Sequence, residues 1–185
     1  VATAIERCLA ELARLLPEDP ATVADAIATM LAREQKFLEC CDDSNGWVGD
    51  ALKAAVVLWG RATALLGKDP NELAEWVLAE GRENGYGIRD RIVAAFAEAL
   101  GGEGLRHLRE RLRFEIARLR LGRRGGGEKE EPAARLGSYG LVGMLEQVAD
   151  ALGDVGLYIE AVSVGGRPEI HAEEVARRQL AAGEP

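Results

Sequence analysis

From Ala51 to Leu66 only Lys53 and Arg61 carry charge. A helix drawn through this run is apolar on nearly every face. Such a helix cannot lie on a surface with one stripe inward, and neighbours must cover it on several sides. Composition says what those neighbours are. Ala and Leu dominate, β-branched residues are sparse and aromatics make up 5% of the 185 residues, which favours helix over strand. No stretch alternates with period two. The expected fold is all-α, with antiparallel helix pairs forming a short α-solenoid or an irregular helical bundle.

Punctuation residues set the expected boundaries. Ile5, Leu9, Leu12 and Leu16 share one face of a first helix that Pro17 to Pro20 ends. Asp19 before Pro20 restarts the chain, because Asp caps and Pro suits the first helical position. The second helix is expected to run to about Cys40, with Val23, Ile27, Met30, Leu31, Phe37 and Leu38 inward. Ser44 or Asn45 is the expected cap of the buried helix, and Gly67 the residue just past its end. Asp69 and Pro70, with Glu72, open a fourth helix to about Glu80. A fifth spans Ile88 to Leu100, broken by Gly101, Gly102 and Gly104, and a sixth spans Glu103 to Leu121. A seventh follows Pro132 to Leu152, with glycines that allow a split near Ser138. Asp154 caps a short eighth, and Pro168 opens a last one to Leu180. The expected organisation is a helical-repeat unit over 1–121, a flexible linker over 122–131 and C-terminal helical repeats over 132–185 packed on the first part.

Leu15, Leu16, Asp19, Pro20, Ala24 and Asp25 return as Leu65, Leu66, Asp69, Pro70, Ala74 and Glu75, 50 residues on. A second echo sets Gly46, Trp47 and Asp50 against Gly85, Tyr86 and Asp90 at an offset of 39 to 40. Self-similarity of this kind marks helical repeats, while the plainer reading is two good helix starts. The runs 42–50 and 83–90, and Ala149 to Val155 ahead of Tyr158 and Ile159, together resemble a bacterial family of uncharacterised helical-repeat proteins, a domain of unknown function. The resemblance covers about Asp42 to Leu180. It implies a tetratricopeptide- or HEAT-like α-solenoid that is part of a longer protein, and it brings no catalytic residue with it. Val1 in place of a Met also points to a missing N-terminal part.

Chemistry-bearing patterns are few. Asp43, Asn45 and Gly46 imitate three positions of a calcium loop, but Cys41 and Leu52 stand where its first and twelfth ligands belong. His107 and His171 each lie alone, without a His or Cys three or four residues away. Cys40 and Cys41 are adjacent and point to different helix faces. No metal, no cofactor and no catalytic residue is expected. Three cysteines without a disulfide spacing fit a reducing cytoplasm. The net charge of −8 and the interrupted apolar runs make nucleic acid an unlikely partner and give no membrane span.

The segment from Leu105 to Arg124 is the exception. It holds eight arginines, opposed by Glu110 and Glu115, so it carries +6 and leaves −14 elsewhere. Either it lies against acidic neighbours such as Glu72, Glu75, Glu80 and Glu83, or Arg106, Arg109, Arg113 and Arg120 meet an anionic partner, an acidic protein segment or RNA. Trp47 and Tyr86 form the second candidate surface. As equivalent residues they are expected to pack under the preceding helix pair, with deletion of Trp47 costing about 3–5 kcal/mol. If exposed instead, they form the binding surface. The expected function is a non-catalytic helical-repeat scaffold binding another protein or the rest of its parent chain. The alternative is an enzyme or ligand-binding domain with a site assembled between helices.

Overall fold

The computed structural model describes residues 1–41, 43–124, 132–165 and 171–183. Among them are nine α-helices and no strand: α1 (Ala2–Leu15), α2 (Pro20–Leu31), α3 (Glu34–Glu39), α4 (Trp47–Ala64), α5 (Pro70–Arg82), α6 (Ile92–Arg124), α7 (Pro132–Leu152), α8 (Val155–Gly165) and α9 (Ala172–Ala182). The protein is an all-α helical bundle.

The apolar run becomes α4 and sits inside. Leu52, Ala55, Val56, Leu58, Ala62 and Thr63 are all buried, covered by α1, α2 and α6. Only the strip carrying Val57 and Leu65 opens to solvent. Both helices that begin Asp-Pro pack against the long helix that comes next, α2 on α4 and α5 on α6. α6 then packs on α7, α7 on α8, and α8 on α9. Phe96, fully buried, lies beneath Trp59 and Trp76, whose ring centroids are 4.8 Å apart, edge to face.

The helix ends follow local chemistry. Asp19 accepts from the Thr22 N–H at 3.0 Å, and Asp69 accepts from the N–H groups of Asn71 and Glu72, both at 2.9 Å. Gly67, at φ 58°, stands in the left-handed region past α4. Asp154 accepts from the Leu157 N–H and caps α8. Gly101 (φ 55°, ψ −174°) breaks α6 into two helical stretches, at the first of the three expected breakers.

Three boundaries differ from expectation. The second helix is two: the chain leaves the helix at Ala32 and Arg33, and α3 starts anew at Glu34. Phe37 and Leu38 continue the apolar spacing of α2, which hides the break, but no residue of α3 is fully buried. The fifth helix starts at Ile92 rather than Ile88, because Ile88 to Arg91 form a turn. The seventh runs from Pro132 to Leu152 as expected, without the split its glycines allow. The expected linker begins later, since α6 continues through Arg124; its remainder, 125–131, lies outside the described residues, as do Asp42 and the Pro168 helix start.

The cap of α4 is neither Ser44 nor Asn45. Gly46 occupies the cap position at φ 72°, and the Asp43 carboxylate accepts from the N–H groups of Val48 (2.8 Å) and Gly49 (3.0 Å). A left-handed residue at the cap turns the preceding loop back over the first turn, so the side chain in reach is three residues upstream. The same device recurs at Asn84, whose side-chain oxygen accepts from the Arg89 N–H at 2.8 Å, with Gly87 also at φ 72°. The two turns match at an offset of 41, not 39 to 40. Pro20 to Asp43 is 23 residues and Pro70 to Asn84 is 14, so the first connection is nine residues longer, where α3 sits.

Candidate functional site

The two turns position the exposed aromatic residues. With the register at 41, Trp47 corresponds to Ile88 and Tyr86 to Asn45. Val48 and Gly49 take the inward positions of the first turn, and Ile88 comes within 3.9 Å of the place a Gly49 Cβ would fill. Ile88, itself buried, packs against this first turn. Trp47 is 67% exposed and Tyr86 51%. The expectation that they wedge beneath a helix pair is wrong for both. Tyr86 instead borders a cleft of about 390 Å³ with Gly46, Gly49, Asp50 and Lys53, over the first turn of α4, the turn that Trp47 leaves.

The arginine-rich part of α6 is largely occupied within the chain. Arg111 meets Glu75 at 2.6 Å, and His107 meets the same carboxylate at 2.7 Å. Burial pushes the Glu75 carboxyl up, yet bonds from His107 and Arg111 outweigh it and hold it below its usual value. Arg82 and Arg118 both reach Glu115, which is buried. Arg113 grips Glu160 on α8 with two nitrogens, and that bond raises its own affinity for a proton. Arg109 pairs with Glu110, and Arg120 donates to the Val164 carbonyl at 3.1 Å. Arg106 makes no ion pair among the described residues. Of the acids expected opposite this helix, Glu75 is the one in contact; Glu80 faces Arg89 instead.

A third place is a polar cleft of about 590 Å³ between the 84–91 turn and helices α7 and α9. Four carboxylates line it, but Asn84 donates to Asp90 at 2.6 Å and Arg178 claims two more, meeting Asp150 at 2.7 Å and also bonding Glu174, while its guanidinium lies 3.8 Å over the Tyr158 ring. Glu146 is left half-buried, and desolvation pushes its carboxyl up, with His171 and Arg178 countering and Asp150 adding to the rise. His107 does not line this cleft. Among the described residues no group of His, Cys, Asp or Glu gathers in a way that would hold a metal. No helix among them is long and apolar enough to cross a membrane.

The Glu146 environment carries a prediction. A carboxyl whose folded pKa is raised favours the fold most when protonated. That contribution is complete below its ordinary value of 4.5 and is lost as pH rises through the folded value. Glu146→Gln is neutral at every pH. It is expected to melt about 2 °C above the parent at pH 7 and level with it near pH 4. Parallel melting curves across that range would show that burial does not act on Glu146.

A family profile described as a family of unknown function, DUF6880, matches residues 4–185. The chain belongs to this family. No curated protein and no solved structure matches it. The matched region takes in α1 and α2 as well as the turns at 43–49 and 84–90. The buried Arg89 and Glu115 networks escaped the sequence reading. The sequence carries no local sign of them: Arg89 is followed by Asp90 and Arg91, and Glu115 stands among the arginines of α6.

Proposed function

We propose that this DUF6880 chain is a non-catalytic helical-repeat scaffold, a short α-solenoid-like run of helix units that binds another protein through Trp47 and Tyr86. The exposure of these two large rings, Trp47 on the first turn of α4 and Tyr86 beside the cleft over that turn, carries the reading. Trp and Tyr dominate the energetics of protein interfaces, because a large rigid ring buries much area at little entropic cost. The repeat reading is supported by two turns with one hydrogen-bonding pattern, each joining an Asp-Pro helix to the long helix it packs on. The partner surface is assigned to the aromatic pair rather than to Arg109, Arg113 and Arg120, since those three already have partners within the chain.

The test is a variant carrying both Trp47→Ala and Tyr86→Ala. Neither ring supports the core, so melting is expected to stay within about 2 °C of the parent. Affinity capture with the intact chain, read by mass spectrometry, defines the partner; the double variant is expected to lose it. Retention of that partner, or a large fall in melting temperature, would refute the assignment.

A further inference from the structure

A second groove lies on another side of the bundle, between α2, α4 and α5, and holds about 590 Å³. It exists because α4 and α5, although consecutive, pack onto α6 rather than closely on each other. Trp59 from α4 and Trp76 from α5 line the opening between them, and α2 adds only alanines and Asp25. Phe96 anchors both rings from below, at 5.7 Å and 5.2 Å, so the indole pair is fixed in place while its upper side stays accessible.

The chemistry of the lining is specific. Indole faces attract cations more strongly than any other side-chain ring. Asp25 and Glu72 line the same groove, exposed and without an ion pair among the described residues, and Asp69 adds a third carboxylate; against them stands Lys68. Among the described residues neither indole N–H is hydrogen-bonded within the chain, and no buried side-chain nitrogen lacks a partner, so both donors keep contact with solvent. Indole rings and carboxylates select a cation, and two unpaired N–H donors select carbonyl oxygens beside it. A peptide bearing lysine or arginine offers both, its side chain over the rings and its backbone carbonyls to the indole nitrogens.

We infer that the groove between α2, α4 and α5 binds a lysine- or arginine-bearing peptide segment of a partner protein. The site is independent of Trp47 and Tyr86, neither of which lines the groove, and Trp47 enters its test only as a background ring that is removed. The experiment follows tryptophan emission of the full chain carrying Trp47→Phe, so that only the groove rings report. The probe is a heptapeptide of alternating lysine and alanine, compared with the same peptide holding glutamate for lysine and with tetramethylammonium. A saturable change with the lysine peptide, weakening as salt is added, is expected, with none from the glutamate peptide. Asp25→Asn combined with Glu72→Gln is expected to weaken binding at least tenfold. Ala28→Phe, which fills the groove from α2 without removing charge, is expected to abolish it. Both variants must melt like the Trp47→Phe parent. An absent or unsaturable response to the lysine peptide, an equal response to the glutamate peptide, or binding that persists in either variant would overturn the inference. Tetramethylammonium binding as tightly as the lysine peptide would overturn it too, leaving a site for small cations.

Discussion

Gly60→Ala is expected to lower stability by about 3 kcal/mol or more, enough to leave much of the chain unfolded near 37 °C. Helix propensity alone points the other way, since alanine is favoured over glycine inside a helix by about 1 kcal/mol. Packing reverses the sign. A Cβ on Gly60 would stand 1.9 Å from the Ala95 carbonyl oxygen, 2.6 Å from its carbon and 3.3 Å from the Phe96 nitrogen. All three atoms are backbone of α6, so no side chain can rotate away. The helices would have to separate, opening the contact that holds the fully buried Phe96 and Val56. Gly140→Ala is the control. It lies within α7 with nothing inside 4 Å of the added carbon, and it is expected to gain up to about 1 kcal/mol. Thermal and urea unfolding followed by circular dichroism measure both. A Gly60→Ala protein as stable as the parent would mean that α4 and α6 do not cross this closely.

Arg89→Met is expected to cost about 3–5 kcal/mol. Arg89 is 8% exposed, and its fork reaches Glu34 on α3 at 2.5 Å through one terminal nitrogen and Glu80 on α5 at 2.9 Å through Nε. Removing the cation leaves two carboxylates facing each other, largely out of water, with no counter-charge. Most of the loss is that penalty rather than the worth of the pair. Adding Glu34→Gln and Glu80→Gln to Arg89→Met is therefore expected to recover more than half of it. Arg89→Lys is expected to fall short of the parent, because a single ammonium cannot place donors on both acids as the planar fork does. If the single and triple variants unfolded at the same urea concentration, uncompensated charge would not be the cause.

These two residues show where the sequence is and is not informative. Asp19, Asp69 and Asp154 are readable as caps because capping is local: a short oxygen-bearing side chain and free N–H groups within three residues. The helices themselves follow from apolar spacing for the same reason. Gly60 gives no such sign, because its role depends on a carbonyl 35 residues away. Arg89 reads as an ordinary surface residue until α3 and α5 bring Glu34 and Glu80 to it.

The candidate sites divide likewise. Trp47 and Tyr86 stand out as large rings beside turn glycines, but their burial was misjudged. The matching turns stand 41 residues apart, aligned by the hydrogen bonds that Asp43 and Asn84 accept, which letter-by-letter alignment of Gly-Trp with Gly-Tyr does not reveal. The indoles of Trp59 and Trp76 belong to different helices and become a pair only when α4 and α5 both settle on α6. The all-α class, the caps at Asp19, Asp69 and Asp154 and the inward place of α4 are legible in the chain alone, since each follows from patterns within a few turns. Tertiary structure alone decided which rings meet solvent, which arginines keep a partner inside the chain and where two backbones touch. Those outcomes depend on distances between residues far apart in the chain, and helix spacing and caps do not specify such distances.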